Sequence, residues 1–308
     1  MEENMQAGGN RISVICVLYY SKHLLKELIG NIETVIGNKL GEIILVNNSS
    51  EEKLDHFQNP NIKIITPPKN IGYGGGMNLG AKQASFDHLL LINPDLELKE
   101  FKIDLNLYKD QLFFAGGYNL DSPYAHYFPS LLRDTLRISI RRFIPLRRMN
   151  SIIDVPHTRI KKELQHVDCF SGSLIFTNMK SFKLVNGFDE NFFLFYEELD
   201  LCKRSNKKKI DVFTTQKIIY SHKINSSSSR NEVLKLKLRS ELDSFFLYHS
   251  KYHQRTLGIA SLFLKIFTLT SLPVILAIEF ICPHQYFKNK KSILTFYYDY
   301  FFGKSVTD

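Results

Sequence analysis

The sequence has few cysteines, and they do not occur in pairs. Cys16, Cys169, Cys202 and Cys282 lie far apart, and no C-x-x-C motif is present. Zinc sites and disulfide frameworks are built from closely or regularly spaced cysteines, so neither is predicted. Isolated thiols of this kind are typical of a reducing compartment, which is where we expect the protein to act.

A secretory leader and a long uncharged segment are also missing. The first ten residues, MEENMQAGGN, are polar and acidic, so we expect that the chain is not exported. Residues 257–282 are strongly apolar, but Lys265 and Glu279 bound their longest uncharged run, which is shorter than the ~20 residues of a membrane span. With Pro273 as a predicted kink, we interpret this segment as an interfacial or re-entrant helix pair. A transmembrane helix and a helical subdomain packed on the core are the alternatives.

Acidic residues are outnumbered by basic ones. The 308 residues include 40 Lys and Arg against 31 Asp and Glu, a formal net charge of +9. This excess favours an anionic partner such as nucleic acid, anionic lipid or a phosphorylated substrate, although a soluble basic surface needs none. Arginines are concentrated in the irregular stretch from about Pro123 to Lys162: Arg133, Arg137, Arg141, Arg142, Arg147 and Arg148. Those at 133, 137 and 141 share one helical face, which is either solvated or in contact with anionic lipid or a diphosphate.

The first hundred residues contain an alternation of strand and helix patterns. Apolar, β-rich runs occur at 11–20, 41–50, 61–70 and 88–95. Helical spacing of apolar residues follows the first run, and GMNLGAKQAS precedes the last. This alternation is typical of an α/β fold with a parallel sheet.

Polar residues end three of the predicted strands. The three endings are Tyr19-Tyr20-Ser21, Asn47-Asn48-Ser49 and Asn93-Pro94-Asp95. Each ending taken alone is typical of a turn. The carboxyl ends of parallel strands lie at one edge of the sheet, where open α/β folds bind ligands. Together, the three endings therefore favour a ligand site.

The segment NIGYGGGMNLG (70–80) carries the densest glycine pattern. The dinucleotide fingerprint G-x-G-x-x-G is not satisfied, because Met77 stands where the third glycine after Gly72 and Gly74 should be. A nicotinamide-dependent oxidoreductase is therefore disfavoured. Glycines let a ligand approach the backbone closely, and a helix beginning near Gly76 would point free N–H groups at an anion. Asn70 and Asn78 can tie the loop or bond a sugar hydroxyl.

Two later segments carry groups with possible chemistry. NGFDENFFLFYEELDLCKRSNKKK runs from a turn through an aromatic cluster to an acidic helix start. Its carboxylates either serve the helix dipole or supply a general base. KIIYSHK reads as a short strand ending near His222, and a lone histidine is usually structural. The chain from Asn231 to about His253 reads as an amphipathic helix.

The glycine segment resembles the N-x-G-[FY]-[GA]-x-G-x-N-x-G signature of bacterial family 2 glycosyltransferases, especially their rhamnosyltransferase-like branch. The matching residues are Asn70, Gly72, Tyr73, Gly74, Gly76, Asn78 and Gly80. The resemblance runs from about Ile12 to His222. It implies a GT-A-type catalytic domain over 10–225, with a mixed, mainly parallel sheet flanked by helices. A helical C-terminal extension over 226–308 would follow, with 257–282 as its membrane-associating segment.

The resemblance also implies a donor site. ILVNNSS resembles the family's V-D-N-A-S strand end, which contacts the nucleotide base, with Asn47 in place of the aspartate. INPD resembles the branch's N-P-D metal motif, so Asp95 would bind the Mg²⁺ or Mn²⁺ that bridges the donor diphosphate. His222 stands where relatives supply a second metal ligand. The implied nucleotide-sugar-binding residues are Tyr19, Tyr20, Ser21, Asn47, Asn48, Ser49, Asn70, Gly72, Tyr73, Gly74, Gly76, Asn78 and Asn93.

An acceptor side is implied in the same way. FDENFFLFYEELDLCKR resembles the branch's F-D-E-x-F-F-x-Y-x-E-D-x-D-L, with Glu198 in place of an aspartate. Glu198 would be the catalytic base, and Glu197 and Asp200 would orient the site or bind acceptor hydroxyls. DCFSGS would bring Gly172 and Ser173 to the acceptor pocket.

The implied reaction is inverting transfer of a sugar from a nucleotide diphosphate donor. The expected donor is dTDP-L-rhamnose, with UDP-linked hexoses, N-acetylhexosamines and galactofuranose as rivals. The acceptor would be a saccharide, lipid-diphosphate-linked, in bacterial surface polysaccharide (O-antigen or capsule) synthesis. The protein would lie peripherally on the cytoplasmic side of the plasma membrane, with no nucleic-acid partner and with homo-oligomer formation left open. Because Asn47, Asn93 and Glu198 depart from the pattern, an inactive scaffold in a membrane synthesis complex is the alternative.

Overall fold

The computed structural model describes residues 10–54, 57, 59–140, 157–222, 231–281 and 296–303. The chain forms two compact units. The first unit consists of Met1–Phe128 and His157–Ser229, and the second of Pro129–Pro156 and Arg230–Asp308. The second unit therefore includes an internal stretch that the sequence assigned to the catalytic domain. Of the six arginines singled out above, those at 141, 142, 147 and 148 lie outside the described residues, as does Cys282.

The first unit is built on a sheet of nine strands. The strands are β1 (Ile12–Leu18), β2 (Leu40–Asn47), β3 (Ile62–Ile65), β4 (His88–Ile92), β5 (Leu96–Phe101), β6 (Phe113–Asn119), β9 (Leu164–His166), β10 (Leu174–Asn178) and β11 (Asp211–His222). Their order is β3-β2-β1-β4-β10-β6-β11-β5, and β9 pairs with β11. The short strands β7 (Tyr124–His126) and β8 (His157–Arg159) form a separate antiparallel pair.

The sheet is mixed rather than mainly parallel. Within the described strands, β1 pairs in parallel with β2 and β4, β2 with β3, and β6 with β11. The antiparallel pairs are β4–β10, β6–β10, β5–β11 and β9–β11. The prediction of a mainly parallel sheet was therefore wrong in its proportion. The sequence pattern revealed the parallel half, but β5 and β6 were not recognised as strands.

Helices cover both faces of the sheet. They are α1 (Leu25–Ile36), α2 (Gly72–Lys82), α4 (Met179–Leu184) and α5 (Glu197–Lys207), with 3-10 turns at Lys22–Leu24, Gly37–Lys39 and Leu105–Tyr108. Helix α1 buries Leu25, Leu28, Ile32 and Ile36, one side of the helix at the predicted spacing. Burial of each such side chain contributes roughly 1.5–3 kcal/mol. Met77 of α2 and Leu201 of α5 pack into the core on the other face.

The glycines of α2 allow this helix to lie close to the sheet. A Cβ placed on Gly76 would stand 2.7 Å from the Val17 side chain, and one on Gly80 would stand 2.4 Å from Ile15. Real Cβ atoms do not approach this closely, so these two glycines serve helix–sheet packing. The helix also begins at Gly72 rather than near Gly76, which corrects the predicted start.

The second unit is helical. Its helices are α3 (Leu131–Ile140), α6 (Asn231–Tyr252) and α7 (Gln254–Ile281), and residues 296–302 are also helical. The predicted helix pair over 257–282 was wrong, because α7 continues as one helix through Pro273. Among the residues that the structure describes, no helix combines the length and apolar character needed to cross a membrane.

His88, at the start of β4, has a buried side chain. It is 1% exposed, and its ring stacks on Phe176 with centroids 5.9 Å apart. Neither ring nitrogen has a hydrogen-bond partner among the described residues. Burial lowers the pKa of His88 from its ordinary 6.5, against the opposing charge of Asp87. Below about pH 6.5 the unfolded chain therefore binds a proton here that the folded protein does not, and stability falls with the pH.

We predict that His88→Leu raises the free energy of unfolding by on the order of 1 kcal/mol, because two buried unpaired nitrogens are removed. The gain should be larger at about pH 5.5 than at about pH 7.5, since the parent alone carries the proton penalty. Urea unfolding of parent and variant at both pH values measures it. His23→Leu, on an exposed histidine, is the control. An equal difference at both pH values would contradict the account.

Candidate active site

Six elements bring polar groups to one edge of the sheet. The ends of β1, β2, β4, β6 and β11 meet there, as does the start of the antiparallel β10. The Asn93 amide donates to the Ser173 carbonyl at 2.9 Å, which joins the β4 turn to the segment before β10. In the β5–β11 ladder His222 lies opposite Leu96, the residue after Asp95. The structure thus brings the predicted donor, metal and acceptor segments together at this edge.

The turn after β1 is tied to the turn after β2. Tyr20 has a left-handed backbone (φ 52°), and its amide donates to Ser49 Oγ at 2.7 Å. Ser21 Oγ donates to the Tyr19 carbonyl at 3.0 Å, and the Tyr20 hydroxyl donates to Glu51. Ser21 and Ser49 are buried by these contacts, whereas the two tyrosine rings are half-exposed and pack edge to face, 4.7 Å apart. The tyrosines are therefore the part of this corner that a ligand can reach.

The two asparagines after β2 use their amides inside the protein. Asn47 donates to the Glu52 carbonyl at 2.8 Å and accepts from the Ser49 amide at 3.1 Å. Asn48 donates to the Gly72 carbonyl at 2.9 Å. Both side chains are buried. Asn47 also lines a cavity of about 690 Å³ beside the following loop.

The start of α2 is capped by the protein itself. The Gly72 amide donates to Asn70 Oδ1 at 2.9 Å, and the Tyr73 amide donates to the Phe193 carbonyl at 3.0 Å. Gly72 has a φ of 75°, and a Cβ there would stand 2.3 Å from the Phe193 oxygen, so only glycine fits. The first two N–H groups of this helix are therefore occupied by the protein and do not point at an anion.

Asn78 clamps the acidic loop onto α2. Its Nδ2 donates to the Phe188 carbonyl and to Glu190, each at 2.9 Å, and its Oδ1 accepts from the Phe188 amide at 2.9 Å. Gly187 (φ 61°) lets the backbone approach, since a Cβ there would lie 2.4 Å from Asn78 Oδ1. Of the two roles considered for Asn78, the structure assigns it the tie rather than the sugar contact.

A strained turn presents the acidic pair. Phe195 and Tyr196 have consecutive left-handed backbones, with φ of 70° and 67°. Such conformations cost on the order of 1 kcal/mol or more each for residues with side chains. Directly after them, Glu197 and Glu198 begin helix α5. Glu197 is 5% exposed, and its Oε2 has no hydrogen-bond partner among the described residues. Glu198 is half-buried.

Burial changes the acidity of both glutamates. It raises the pKa of Glu197 well above 4.5, and the charge of Glu198 adds to the effect. Burial also raises the pKa of Glu198. Each carboxylate accepts a hydrogen bond from its own amide, which opposes the increase. Burial followed by the charge of Glu197 raises the pKa of Tyr73, so the phenol shares this neighbourhood.

Asp200 lies away from solvent in an ion pair. It is fully buried, and Arg204 Nε donates to its Oδ2 at 2.6 Å. Arg204 also donates to the Val185 carbonyl. This pair connects α5 to the end of α4, so we assign Asp200 a positioning role rather than contact with an acceptor hydroxyl.

Gly172 and Ser173 link the two halves of the site. The Tyr73 hydroxyl donates to the Gly172 carbonyl at 2.7 Å, across 99 positions of sequence. A Cβ placed on Gly172 would stand 3.4 Å from Glu198 Cβ and 3.7 Å from its carboxyl carbon. Ser173 and Ser171 share a hydrogen bond at 2.7 Å. The predicted acceptor segment therefore lies directly against Glu198.

Residues 13–103, from β1 to just past β5, match glycosyl transferase family 2. This part of the chain belongs to that family. The chain is 28% identical over 225 residues to the low-salt glycan biosynthesis hexosyltransferase Agl10 of Haloferax volcanii, a match that covers 68% of this chain and 66% of that protein. It is 28% identical over 150 residues to the rhamnosyltransferase WbbL of Escherichia coli (strain K12), covering 43% and 53%. Each match spans less than two thirds of the relative's length.

The fold of the family 2 region has solved counterparts. The crystal structure of GalNAc-T7 with UDP, GalNAc and Mn²⁺ is similar with a TM-score of 0.54, at 14% identity over 78% of this chain and 50% of that one. At this identity the likeness concerns the fold alone. It agrees with the GT-A-type sheet expected from the sequence.

The candidate site also contains residues that sequence reasoning missed. Asn119, at the end of β6, donates from Nδ2 toward His222 Nδ1 at 3.1 Å, and its Oδ1 accepts from the Asp121 amide. The His222 amide donates to Asp121 at 2.8 Å. Tyr220, with its pKa raised by burial, has hydrogen bonds with Ser171, Ser173 and Asn119. The polar ending Asn119-Leu120-Asp121 was the available signal, had the run before it been recognised as a strand.

The clamp role of Asn78 has a measurable signature. We predict that Asn78→Ala lowers the free energy of unfolding by about 2 kcal/mol, because buried backbone groups of the acidic loop lose their partners. Urea unfolding measures this loss. Asn191→Ala, on an exposed amide of the same loop that bonds Asp189, should change stability far less. Unchanged stability of Asn78→Ala with weakened donor binding would instead favour a sugar contact.

Proposed function

We propose that this protein is an inverting glycosyltransferase that moves a sugar from a nucleotide diphosphate donor to a saccharide acceptor. The main observation behind the proposal is that Tyr73 connects the donor segment to the acidic loop and to the acceptor segment. Tyr73 donates its amide to the Phe193 carbonyl and its hydroxyl to the Gly172 carbonyl. The family 2 donor segment is thereby held against the acidic pair and the acceptor segment. A transferase needs this proximity, because the base must face the donor across the acceptor hydroxyl.

Glu198 acts as the general base in this proposal. Its side chain is half-buried beside Gly172, so an acceptor hydroxyl can reach it. The raised pKa makes the carboxylate a stronger proton acceptor than an exposed glutamate. Glu197 is more deeply buried, at 5% exposure, and burial together with the charge of Glu198 raises its pKa, so the less accessible Glu197 is the carboxyl to which we assign the proton. A protonated Glu197 can donate a hydrogen bond to the acceptor, but it cannot take the reacting proton.

Asp95 is the residue that fits a divalent cation. Its carboxylate lies at the sheet edge. Burial is the main cause that raises the pKa of the Cys16 thiol, and the charge of Asp95 is the second cause, so Asp95 lies near the end of β1. Mg²⁺ and Mn²⁺ are held by few carboxylates together with substrate phosphates, and they neutralise a leaving diphosphate. His222 fits less well, because Nδ1 accepts from Asn119 and Nε2 therefore carries the proton of the neutral ring. Among the described residues no group of three possible ligands is present.

The donor and the acceptor are inferred from similarity to other proteins rather than from side-chain geometry. Similarity to a rhamnosyltransferase and to a hexosyltransferase supports a hexosyl or deoxyhexosyl donor. We propose dTDP-L-rhamnose as the donor, with UDP-linked hexoses, N-acetylhexosamines and galactofuranose as rivals. The proposed acceptor is a lipid-diphosphate-linked saccharide of bacterial surface polysaccharide, used at the cytoplasmic side of the plasma membrane.

We predict that Glu198→Gln lowers the transfer rate by ~10²-fold or more while donor affinity stays nearly unchanged, because shape is kept and the proton acceptor is lost. Glu197→Gln should cost less, since it mimics the protonated carboxyl. In the parent the rate should rise with pH through the raised pKa of Glu198, above 4.5, and this rise should vanish in Glu198→Gln. Transfer to a panel of saccharide acceptors, with thermal shift for donor binding, provides both measurements.

Two outcomes would count against this assignment. If Glu198→Gln transferred sugar at the parent rate while Glu197→Gln were inactive, Glu197 rather than Glu198 would be the general base. A parent that neither hydrolyses nor transfers any of the proposed donors would favour the inactive scaffold.

The cation has its own test. Asp95→Ala should weaken Mn²⁺-dependent donor binding at least about tenfold, because a carboxylate ligand is removed. His222→Ala should weaken this binding less, since Nε2 of the His222 ring carries a proton that must leave before this nitrogen can bind a metal. Thermal shift with nucleotide sugars, with and without Mn²⁺ and EDTA, measures both variants. Asp104→Ala, in the first unit but at the 3-10 turn after β5, is the control. Donor binding that ignores EDTA and both substitutions would remove the metal from the mechanism.

A further inference from the structure

Helix α7 has its apolar side chains on the outside. Its buried positions among the described residues are four or three residues apart: Ala260, Leu264, Thr268 and Ser271. Two of these side chains, Thr268 and Ser271, are polar. Its exposed side carries large apolar residues with 42–73% of their surface accessible: Ile259, Leu262, Phe263, Ile266 and Leu269. At 100° per residue these five fall on one face. A surface helix in a water-soluble domain has charged and polar residues on its exposed side instead.

Helix α3 also has large apolar side chains on its outside, since Leu132 and Leu136 are 72% and 37% exposed. Its interior side combines the apolar residues Leu131 and Ile138 with the polar residues Asp134, Thr135 and Ser139. Since α3 packs against α7, exposed large apolar side chains are a feature of the helical unit rather than of one helix.

Ionic contacts hold the interior of this unit together. His249 of α6 contacts Asp134 at 3.0 Å, and Arg137 donates to Asp134 and to Glu241, each at 3.1 Å. His249 also meets His253 at 2.9 Å. Buried charges are tolerated when they are paired and hydrogen-bonded. The helices therefore associate through these polar groups as well as through buried apolar residues such as Leu242, Phe245 and Leu264, while the large apolar side chains on the outside of α7 remain exposed.

We propose that the exposed side of α7 formed by Ile259, Leu262, Phe263, Ile266 and Leu269, here called the lipid face, inserts into the acyl region of an anionic bilayer. The residues extend about 15 Å along the helix, at 1.5 Å per residue. A helix lying in the plane of the interface buries one such face. This inference does not rest on the proposed glycosyl transfer, because it depends only on the helical unit.

The charges around the lipid face select an anionic bilayer as the occupant. The charged residues among the described side chains of α7 are Arg255 and Lys265, and both are exposed and basic. Lys265 lies at the margin of the lipid face, where its long side chain can reach phosphate headgroups. The chain as a whole carries +9. Basic side chains beside an apolar face are attracted to anionic leaflets.

Vesicle flotation of the full chain tests the inference. The parent should float with phosphatidylcholine vesicles containing roughly one third phosphatidylglycerol, and less with phosphatidylcholine alone. Leu262→Glu with Ile266→Glu should reduce binding about tenfold or more, since two inserted side chains become charged. Leu107→Glu with Leu164→Glu is the matched control, on leucines of the first unit that are 58% and 43% exposed. The control should float like the parent.

The absence of tryptophan from the chain permits a direct depth measurement. Phe263→Trp introduces a single fluorophore in the lipid face, and its emission should shift to the blue with anionic vesicles and be quenched by brominated acyl chains. Leu107→Trp should show neither effect. Transfer activity toward a soluble saccharide acceptor, measured in parallel, separates loss of membrane binding from loss of catalysis.

Three results would overturn the inference. The first is a parent that fails to float with either vesicle. The second is a Phe263→Trp signal that ignores brominated lipid. The third is a pair of results: neither the parent nor the Leu262→Glu, Ile266→Glu variant floats, and only the parent self-associates in analytical ultracentrifugation. The lipid face would then be the contact surface for a second copy of the chain.

Discussion

The arrangement of the first unit depends on the close contact between the start of α2 and the carbonyl of Phe193. Gly72 supplies a left-handed backbone and has no Cβ, so the Tyr73 amide can donate to that carbonyl at 3.0 Å. Two residues after the carbonyl, the chain makes the strained Phe195–Tyr196 turn from which α5 begins. The direction of the acidic pair is thus set by a contact with a segment about 120 positions earlier in the chain.

A second consequence concerns how the asparagines are used. Asn47, Asn48 and Asn78 all donate to backbone carbonyls of neighbouring loops. A buried amide whose donors and acceptors are satisfied has little to offer a ligand. The groups left for recognition are half-exposed at the sheet edge: the tyrosines after β1, Asp95, Gly172 and Glu198. The family signature in this chain therefore specifies the shape of the site more than its direct contacts.

The two units differ in how polar and apolar side chains are divided between interior and surface. In the first, Ile, Leu, Val and Phe side chains fill two cores on either side of the sheet. In the second, Asp134, Glu241 and His249 are buried beside apolar residues such as Leu242, Phe245 and Leu264, while other leucine, isoleucine and phenylalanine side chains of α3 and α7 face outward. The first arrangement is favoured in water, because it removes apolar surface from contact with the solvent. The second is favoured where the surroundings are themselves apolar, since paired charges then belong in the interior.

Several features could be predicted from the sequence alone because they depend on local patterns. The buried runs of β1, β2 and β4, the apolar side of α1 and the polar strand ends all follow from side-chain periodicity, and the glycine and acidic motifs pointed to the family. Tertiary structure decided the rest. The roles of Asn78 and Asp200 depend on partners brought close by folding, Phe188 across 110 positions and Val185 at the end of another helix. The strands β5 and β6 are defined by pairing rather than by their own pattern. The sequence showed that 257–282 is apolar, but only the packing of α3, α6 and α7 decided which of its side chains face outward, because burial depends on neighbours that periodicity does not identify.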